Sequence, residues 1–325
     1  MALSQVLTAY DFLDSAIVTG DDAVALFDSY KAYGVFAESN AVNDTEVGTQ
    51  PDWITWFVKI TIPGTNGKNS GAQNPAPTLG INGRCGGTGA RPQEIGMVSD
   101  GDGPVCGLAA ALKLADMKSK GDALTGDVIV TFHISPQGYI DTSKNPPMMG
   151  LPVTNDVMNS YEVDPAMDAI LSVDASKANY ITKQRGFAIS PTAMQGYVLK
   201  VSSDLVNIME STTGRHACTF PLAIQDITPY DNGISHFNSI MQPSVATAAP
   251  VVGVAITAES AVSGSAVNAN HEIDLAEAVQ FCLATAKAFT GGTCAFYDPA
   301  EFNTLVSRYG ALTIFQTEGN VAPAD

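Results

Sequence analysis

Charged residues are scarce in this 325-residue chain, making up 15% of it against about 25% in an ordinary soluble domain. The charge that is present is acidic, with a formal net charge of −17 at pH 7 and no basic cluster. Nucleic acids and anionic membranes both require a basic face, so the sequence excludes both as partners. A surface with few charges is typical of a protein that other copies of itself cover. We therefore expect a homo-oligomer or a larger assembly.

Cysteine pairs and long apolar runs are also missing. The five cysteines are widely spaced and form no CxxC motif, so neither a disulfide framework nor a cysteine zinc site is indicated. They are expected to be buried small hydrophobic residues. No apolar run approaches the roughly 18 residues that span a bilayer, and Met1–Val6 lacks the layout of a secretory signal. These absences predict a globular cytoplasmic protein.

Strand-like and helix-like segments alternate along the chain. Residues 127–134, 169–174 and 251–256 are nearly unbroken apolar runs, and 220–224 is predicted to be a further strand. Helical patterns lie between them, among others over 155–168 and 203–213. Such alternation is typical of a mostly parallel sheet with helices on both faces. The predicted fold is a three-layer α/β/α sandwich with a mixed, mostly parallel central sheet, formed by a single domain over 1–325. The proline-rich stretch 138–160 is predicted to be a loop excursion.

Two acidic residues lie in a tight turn just before a helix with small and apolar residues on nearly all sides. Asp100 and Asp102 alternate with Gly101 and Gly103, and Pro104 suits the first helical turn. Carboxylates at this place either cap the helix N-terminus or bind a metal ion. The residues alone leave both interpretations open.

Other polar residues follow predicted strands or precede a predicted helix. His133 and Asp174 end strands, and His271 with Glu272 opens a long helix. Ligands of open α/β sheets bind at the carboxyl ends of strands, which makes these residues candidates for a site. Helix capping at His271 and Glu272, and a simple turn at Asp174, explain them equally well.

Two further residues are candidates for substrate contacts. Arg84 lies among glycines, where it would bind a carboxylate or phosphate in a backbone nest, or only accompany a tight turn. His236 is either a pocket residue or part of a surface turn.

Three of these places occur in an order that resembles the dinuclear zinc aminopeptidase superfamily, the group of glutamyl and tetrahedral aminopeptidases. They are the turn before the small-residue helix, the strand 169–174 and the loop before the last long helix. The resemblance implies that Asp100 bridges metal ions, with Asp102 as the second candidate, and that Asp174 and His271 are ligands.

A closer resemblance covers nearly the whole chain. Residues 57–60, 63–68, 98–103 and 225–230 are similar to an uncharacterised bacterial family known only as a domain of unknown function. That resemblance implies no activity.

The chain departs from the superfamily pattern at two places. Asn82-Gly83-Arg84 stands where a His-x-Asp is expected, and His133-Ile134-Ser135-Pro136-Gln137 stands where a Glu-Glu pair is expected. The second departure removes the carboxylate that would deprotonate a water molecule on zinc. The short gap also leaves no room for an inserted dimerisation domain between 82 and 100.

Two functions are consistent with this pattern. The first is a metal-dependent hydrolase of peptides or amino-acid-like amides with an altered metal site, in which catalysis is retained or lost. Its cofactor would be zinc, manganese or cobalt. Its predicted residues are the metal ligands Asp100, Asp102, Asp174 and His271, the fourth ligand or proton carrier His133, and the substrate contacts Arg84, Glu272 and His236.

The second function is a structural protein that builds a ring, cage or filament on an old hydrolase fold. A weaker third interpretation is a protein that binds a small ligand in the same pocket without turnover.

Overall fold

Strands and helices alternate over most of the chain, as expected. The computed structural model describes residues 2–43, 53–143, 147–150, 153–230, 232–236, 238–262 and 269–316. The strands are β1 (Phe36–Val42), β2 (Thr55–Ile62), β3 (Leu79–Gly83), β4 (Val128–Ile134), β5 (Tyr139–Asp141), β6 (Met148–Gly150), β7 (Ala169–Ala175), β8 (Gly186–Ile189), β9 (Ala193–Met194), β10 (Tyr197–Val198) and β11 (Val251–Thr257). The helices are α1 (Leu3–Leu13), α2 (Gly20–Ala25), α3 (Asp102–Ser119), α4 (Asn155–Glu162), α5 (Ser203–Thr213), α6 (Glu272–Thr290) and α7 (Pro299–Tyr309).

The centre of the main sheet consists of four parallel strands in the order β4-β3-β7-β11. Antiparallel strands extend it on both sides, with β2 and β1 beyond β4, and with β8, β9 and β10 beyond β11. The four central strands are buried along almost their whole length. Since they are parallel, their carboxyl ends share one edge of the sheet, which we call the carboxyl edge.

Alternate residues of the central strands face two different layers. Leu171 and Val173 of β7 belong to the larger core, which contains residues of α1, α3 and α6. Ile170 faces the opposite layer, and Ser172 donates a hydrogen bond there to the carbonyl oxygen of Ile240. That layer consists of α4 and the 3-10 helix Ser239–Val245. The predicted α/β/α sandwich with a mixed, mostly parallel sheet is confirmed.

One prediction about an individual element was wrong. A strand was expected over 220–224, but this segment leads into the 3-10 helix Ile224–Ile227, since Pro221 has no N–H to donate to a ladder. In the stretch 138–160, which was predicted to be a loop excursion, β5 pairs with β6 and α4 begins at Asn155. Pro136 and Pro147 lie outside these elements.

Strand β1 escaped prediction because its sequence carries little apolar alternation. It pairs with β2 along its full length at the edge of the sheet, and much of it is exposed. None of the helices in the described part of the chain is both long and apolar enough to cross a membrane.

We expect the seating of α3 against the end of β3 to depend on a glycine. A Cβ atom on Gly103 would lie 1.9 Å from the carbonyl oxygen of Arg84, a backbone atom that cannot yield, whereas one on Gly107 of the same helix would lie 3.3 Å from the Phe132 ring. Gly103→Ala should therefore lower the free energy of unfolding by on the order of 3 kcal/mol. Gly107→Ala should change it by about 1 kcal/mol or less, because alanine favours the helix.

Urea unfolding of the two variants measures the difference. Equal losses in both would show that close contact between α3 and Arg84 is not required.

Candidate functional site

Four polar side chains lie at the carboxyl edge. Asp100 lies in the 3-10 helix Ser99–Gly101, Asp102 begins α3, Asp174 lies in β7, and Lys177 follows β7. We call these four residues the acidic centre. Asp174 and Asp102 both raise the pKa of Asp100 electrostatically. That these acids bind a metal ion stays a prediction.

Asp102 is bound to a buried lysine. Its side chain is fully buried, and the Nζ atom of Lys177, which is 2% exposed, lies 2.5 Å from Oδ2. The Asn270 amide donates to Oδ1 at 2.6 Å, and Lys177 also donates to the carbonyl oxygen of Ala269. Burial raises the pKa of Asp102, although Lys177 and Asn270 oppose the rise. Asp102 therefore already has a cationic partner within the protein.

Capping does not explain these acids. The residue that precedes α3 is Gly101, and no side chain caps the helix there. His271 is likewise the residue before α6, and its side chain makes no capping hydrogen bond. The simple alternative that the residues alone left open is therefore not what the structure contains.

Asp174 has one oxygen in use and one spare. The Cys85 thiol donates to Oδ2 over 3.3 Å. Oδ1 makes no well-formed hydrogen bond, although the side chain is only 2% exposed. Burial raises the pKa of Asp174 to about 6, while the Cys85 hydrogen bond, the Arg84 charge and a backbone contact from Ala175 oppose the rise. A buried carboxylate oxygen without a partner is costly, so this atom indicates a place for a donor or a cation.

Asp100 is the most perturbed carboxyl group of the acidic centre. Burial raises its pKa to about 8, with further contributions from Asp174 and Asp102 that Lys177 partly opposes. Burial is the largest cause, and repulsion among three carboxyl groups that share the charge of one ammonium group adds to it. Near neutral pH, Asp100 thus retains its proton unless a further cation is present.

A second buried network lies beneath the centre and holds the loop after β3. Arg84 donates to Glu162 at 2.8 Å, to Asn159 at 3.2 Å and to Asn155 at 3.1 Å, all of them on α4. His133 Nδ1 lies 2.5 Å from Glu162 Oε1. These contacts occupy the Arg84 guanidinium inside the protein.

His133 is hydrogen-bonded at both ring nitrogens. The Gly86 amide donates to Nε2 at 2.9 Å, so Nδ1 carries the proton that points at Glu162. The ring is 1% exposed. Its geometry is that of a side chain that fixes the Gly86 loop.

The remaining predicted residues lie farther out. His271 and Glu272 are exposed at the start of α6, and His271 acts on the centre as a nearby charge that opposes the rise in the Asp102 pKa. His236 Nε2 lies 2.8 Å from the carbonyl oxygen of Thr228, and its ring packs 4.5 Å from that of Tyr230. The roles assigned to them stay predictions.

The four-ligand set of Asp100 or Asp102, His133, Asp174 and His271 does not form. Over the ranges that the structure describes, no three His, Cys, Asp or Glu side chains are grouped closely enough to hold a metal ion. The physical reasons are that Lys177 neutralises Asp102 and that His133 has no free nitrogen.

Sequence reasoning missed three residues of the site. Lys177 was detectable only as a lysine three positions after the strand-end Asp174, and Cys85 as a cysteine beside Arg84 in a glycine-rich turn. Tyr230 lies near Cys85 and Asp174, and burial raises its pKa to about 12. No local signal distinguishes Tyr230, because only the tertiary fold brings it to this edge.

A family model described as "Protein of unknown function (DUF1177)" matches residues 46–319. The chain belongs to this family. A comparison with curated proteins finds no match.

Solved structures show the kind of fold. The bottromycin maturation enzyme BotP is 18% identical, with a TM-score of 0.53 over 90% of this chain and 70% of that one. The cytosol aminopeptidase from Coxiella burnetii is 10% identical, with a TM-score of 0.46 over 85% and 68%. The leucine aminopeptidase LAP1 of Caenorhabditis elegans is 9% identical, with a TM-score of 0.49 over 91% and 66%. The DUF1177 chain thus shares the fold of BotP, and the resemblance to the glutamyl and tetrahedral aminopeptidases stays a prediction.

We expect the Lys177–Asp102 pair to be essential for stability in this DUF1177 protein. Lys177→Met should lower the free energy of unfolding by about 3–5 kcal/mol, because it leaves a buried charge without its partner. Adding Asp102→Asn should recover about half of the loss, since the amide is neutral.

Lys59→Met is the matched control. Lys59 is partly exposed and pairs with Glu38 at 2.6 Å, so its loss should cost about 1 kcal/mol or less. Urea unfolding in EDTA checks all of these variants, and a Lys177→Met cost no larger than that of Lys59→Met would contradict the expectation.

Proposed function

We propose that this protein is a hydrolase of the aminopeptidase-like fold with an altered site, which binds one divalent cation and cleaves an amide bond in a peptide or amino-acid-like molecule. The observation that carries the proposal is the buried Oδ1 atom of Asp174, which makes no well-formed hydrogen bond in the acidic centre. The likeness of the fold to aminopeptidases supports the reaction class, which fold alone does not establish.

The charges of the acidic centre fit one cation better than two. With Asp102 paired to Lys177, the side chains of Asp100 and Asp174 keep two negative charges when both are ionised. A single divalent ion would balance them, and its binding would relieve the repulsion that raises the Asp100 pKa. Asp174 and Asp100 are the residues that would hold the ion. The third acid, Asp102, is already paired with the ammonium group of Lys177. Zinc, manganese and cobalt are the candidates.

The chain's own groups suggest how the reaction would proceed around such an ion. A bound cation supplies polarisation of the amide carbonyl. Asp100 is less buried than Asp174, and its second oxygen would accept a proton from the attacking water. The Tyr230 phenol, which remains protonated, would donate a hydrogen bond to the substrate oxygen.

The predicted catalytic residue His133 receives a different role in this proposal. Together with Arg84 and Glu162, it keeps the loop around Gly86 in place beside Asp174. It acts through the position of that loop and does not itself carry protons.

The metal-free protein should take up one divalent ion per chain from zinc, manganese or cobalt solutions. Calorimetry measures the stoichiometry, and a panel of aminoacyl anilides and dipeptides measures hydrolysis. Asp174→Asn and Asp100→Asn should each weaken binding and hydrolysis by about 100-fold or more, because loss of second-shell partners alone costs 10–100-fold.

Asp116→Asn is the control for these variants. Asp116 lies on the same helix as Asp102, but it pairs with Lys120 on the surface, so its change should leave binding intact. Uptake of two ions per chain would contradict the single-cation site, and absence of both uptake and turnover would overturn the proposal.

Self-assembly is a second candidate function. Ile17 and Ile95 are 85% and 89% exposed, and Phe36 at the start of the edge strand β1 is 63% exposed. Such side chains are better covered by protein than by water, and an edge strand offers unpaired backbone groups to another chain.

Light scattering and electron microscopy of the native protein should then show a ring, a cage or a filament. Because Phe36 is exposed, we expect Phe36→Ser to weaken assembly. Tyr309 is also exposed, and Tyr309→Ser is the control that should leave assembly unchanged. A monodisperse wild-type monomer would end this second candidate.

A further inference from the structure

We propose that a cavity at the start of β7 and β11 binds a small organic monocation, a primary amine attached to an apolar body. The cavity has a volume of about 620 Å³, within the range of about 300–1,000 Å³ that is typical of small-molecule sites. Its lining includes Asp168, which precedes β7, and Pro250, which precedes β11. It therefore lies at the end of the sheet opposite the carboxyl edge, and the inference does not depend on the cation site proposed above.

The charge of the cavity lining favours a cation. Among the side chains that the structure places in this lining, two are aspartates and none is a lysine or an arginine. Lys68 Nζ lies 2.7 Å from Asp168 Oδ2, so that carboxylate is already balanced. Asp156, in the first turn of α4, is exposed and forms no ion pair or hydrogen bond through its side chain within the described ranges. One uncompensated negative charge fits one ammonium group, which the net charge of −17 would also attract to the protein.

The inner part of the lining fits an apolar body. Met167 and Met194 are buried there, and thioether sulfur makes favourable contacts with aromatic rings. Tyr297 is half-buried, and its ring packs against that of Phe302 with the centroids 5.8 Å apart. An ammonium group near the face of a tyrosine ring is attracted by the ring electrons. An alkyl or arylalkyl amine would use these surfaces, whereas a hydrated inorganic ion would not.

The cavity wall formed by residues 246–250 is held in place by two glutamines. The Gln195 amide donates to the carbonyl oxygen of Ala248 at 3.3 Å, and the Gln316 amide donates to that of Thr247. Gln195 has a φ angle of +48°, in the left-handed region that non-glycine residues seldom adopt and that persists only where the surroundings impose it. A wall that is already ordered lowers the cost of ordering on binding.

Calorimetry of the full-length protein tests the preference for a cation with ligand pairs that differ only in the charged group. Benzylamine, hexylamine and tryptamine are compared with benzyl alcohol, hexanol and tryptophol. We expect one molecule of amine to bind per chain. The matching alcohol should bind about 5-fold more weakly, because an exposed ion pair contributes up to about that factor.

Two variants locate the bound amine. Asp156→Asn should weaken amine binding by about 5-fold and leave alcohol binding unchanged. Ser160 is exposed and lines the cavity, so Ser160→Trp should fill the space and abolish binding of both. Asp122→Asn is the matched control, because Asp122 is equally an exposed acid but lies outside the lining, and it should leave binding unchanged.

A second measurement needs no variant. In the wild-type protein labelled with ¹³C at the methionine methyl groups, bound tryptamine should shift the NMR signals of Met167 and Met194. The signal of Met117 in α3, which does not line the cavity, should stay in place. This measurement decides the location even if Ser160→Trp does not fold.

Three outcomes would overturn the inference. Equal affinity for each amine and its alcohol would show that the site does not select a cation. Amine binding without shifts at Met167 and Met194 would place the ligand elsewhere. Absence of binding by all three amines would show that the cavity takes no ligand of this class, and none of these results bears on the acidic centre.

Discussion

The buried ion pair between Lys177 and Asp102 is the interaction on which the site depends. It joins the end of β7 to the start of α3, and through Asn270 and Ala269 it also holds the segment before α6. Removing two charges from water is unfavourable unless each finds a close partner and further hydrogen bonds. The pair meets that condition, and it thereby sets the distances among the three carboxyl groups.

The same pair explains why the site differs from the one that the family resemblance implies. The ammonium group of Lys177 neutralises Asp102 from within the protein. The other two acids remain undercompensated, which is why burial and mutual repulsion raise the pKa of Asp100 to about 8. The buried Arg84–Glu162–His133 network satisfies its own groups and positions the Cys85 loop, and the Arg84 charge opposes the rise in the Asp174 pKa.

Much of the fold could be predicted because long apolar runs identify buried strands. The runs at 127–134, 169–174 and 251–256 became β4, β7 and β11, and the pattern over 203–213 gave α5 with the same bounds. Prediction was less successful where pairing, and not composition, decides the structure. Strand β1 is polar and exposed, and it exists because β2 lies beside it.

For the site, the sequence by itself placed Asp100, Asp102 and Asp174 at strand and helix ends, which parallel topology brings to one edge. It did not determine their partners. Only the tertiary structure decided that Lys177 neutralises Asp102 and that Cys85 donates a hydrogen bond to Asp174. It also decided that Glu162 and Gly86 occupy both ring nitrogens of His133 with hydrogen bonds. The reason is physical: local patterns specify where elements begin and end, whereas charge pairing depends on which buried side chains the packed elements place within a few ångströms.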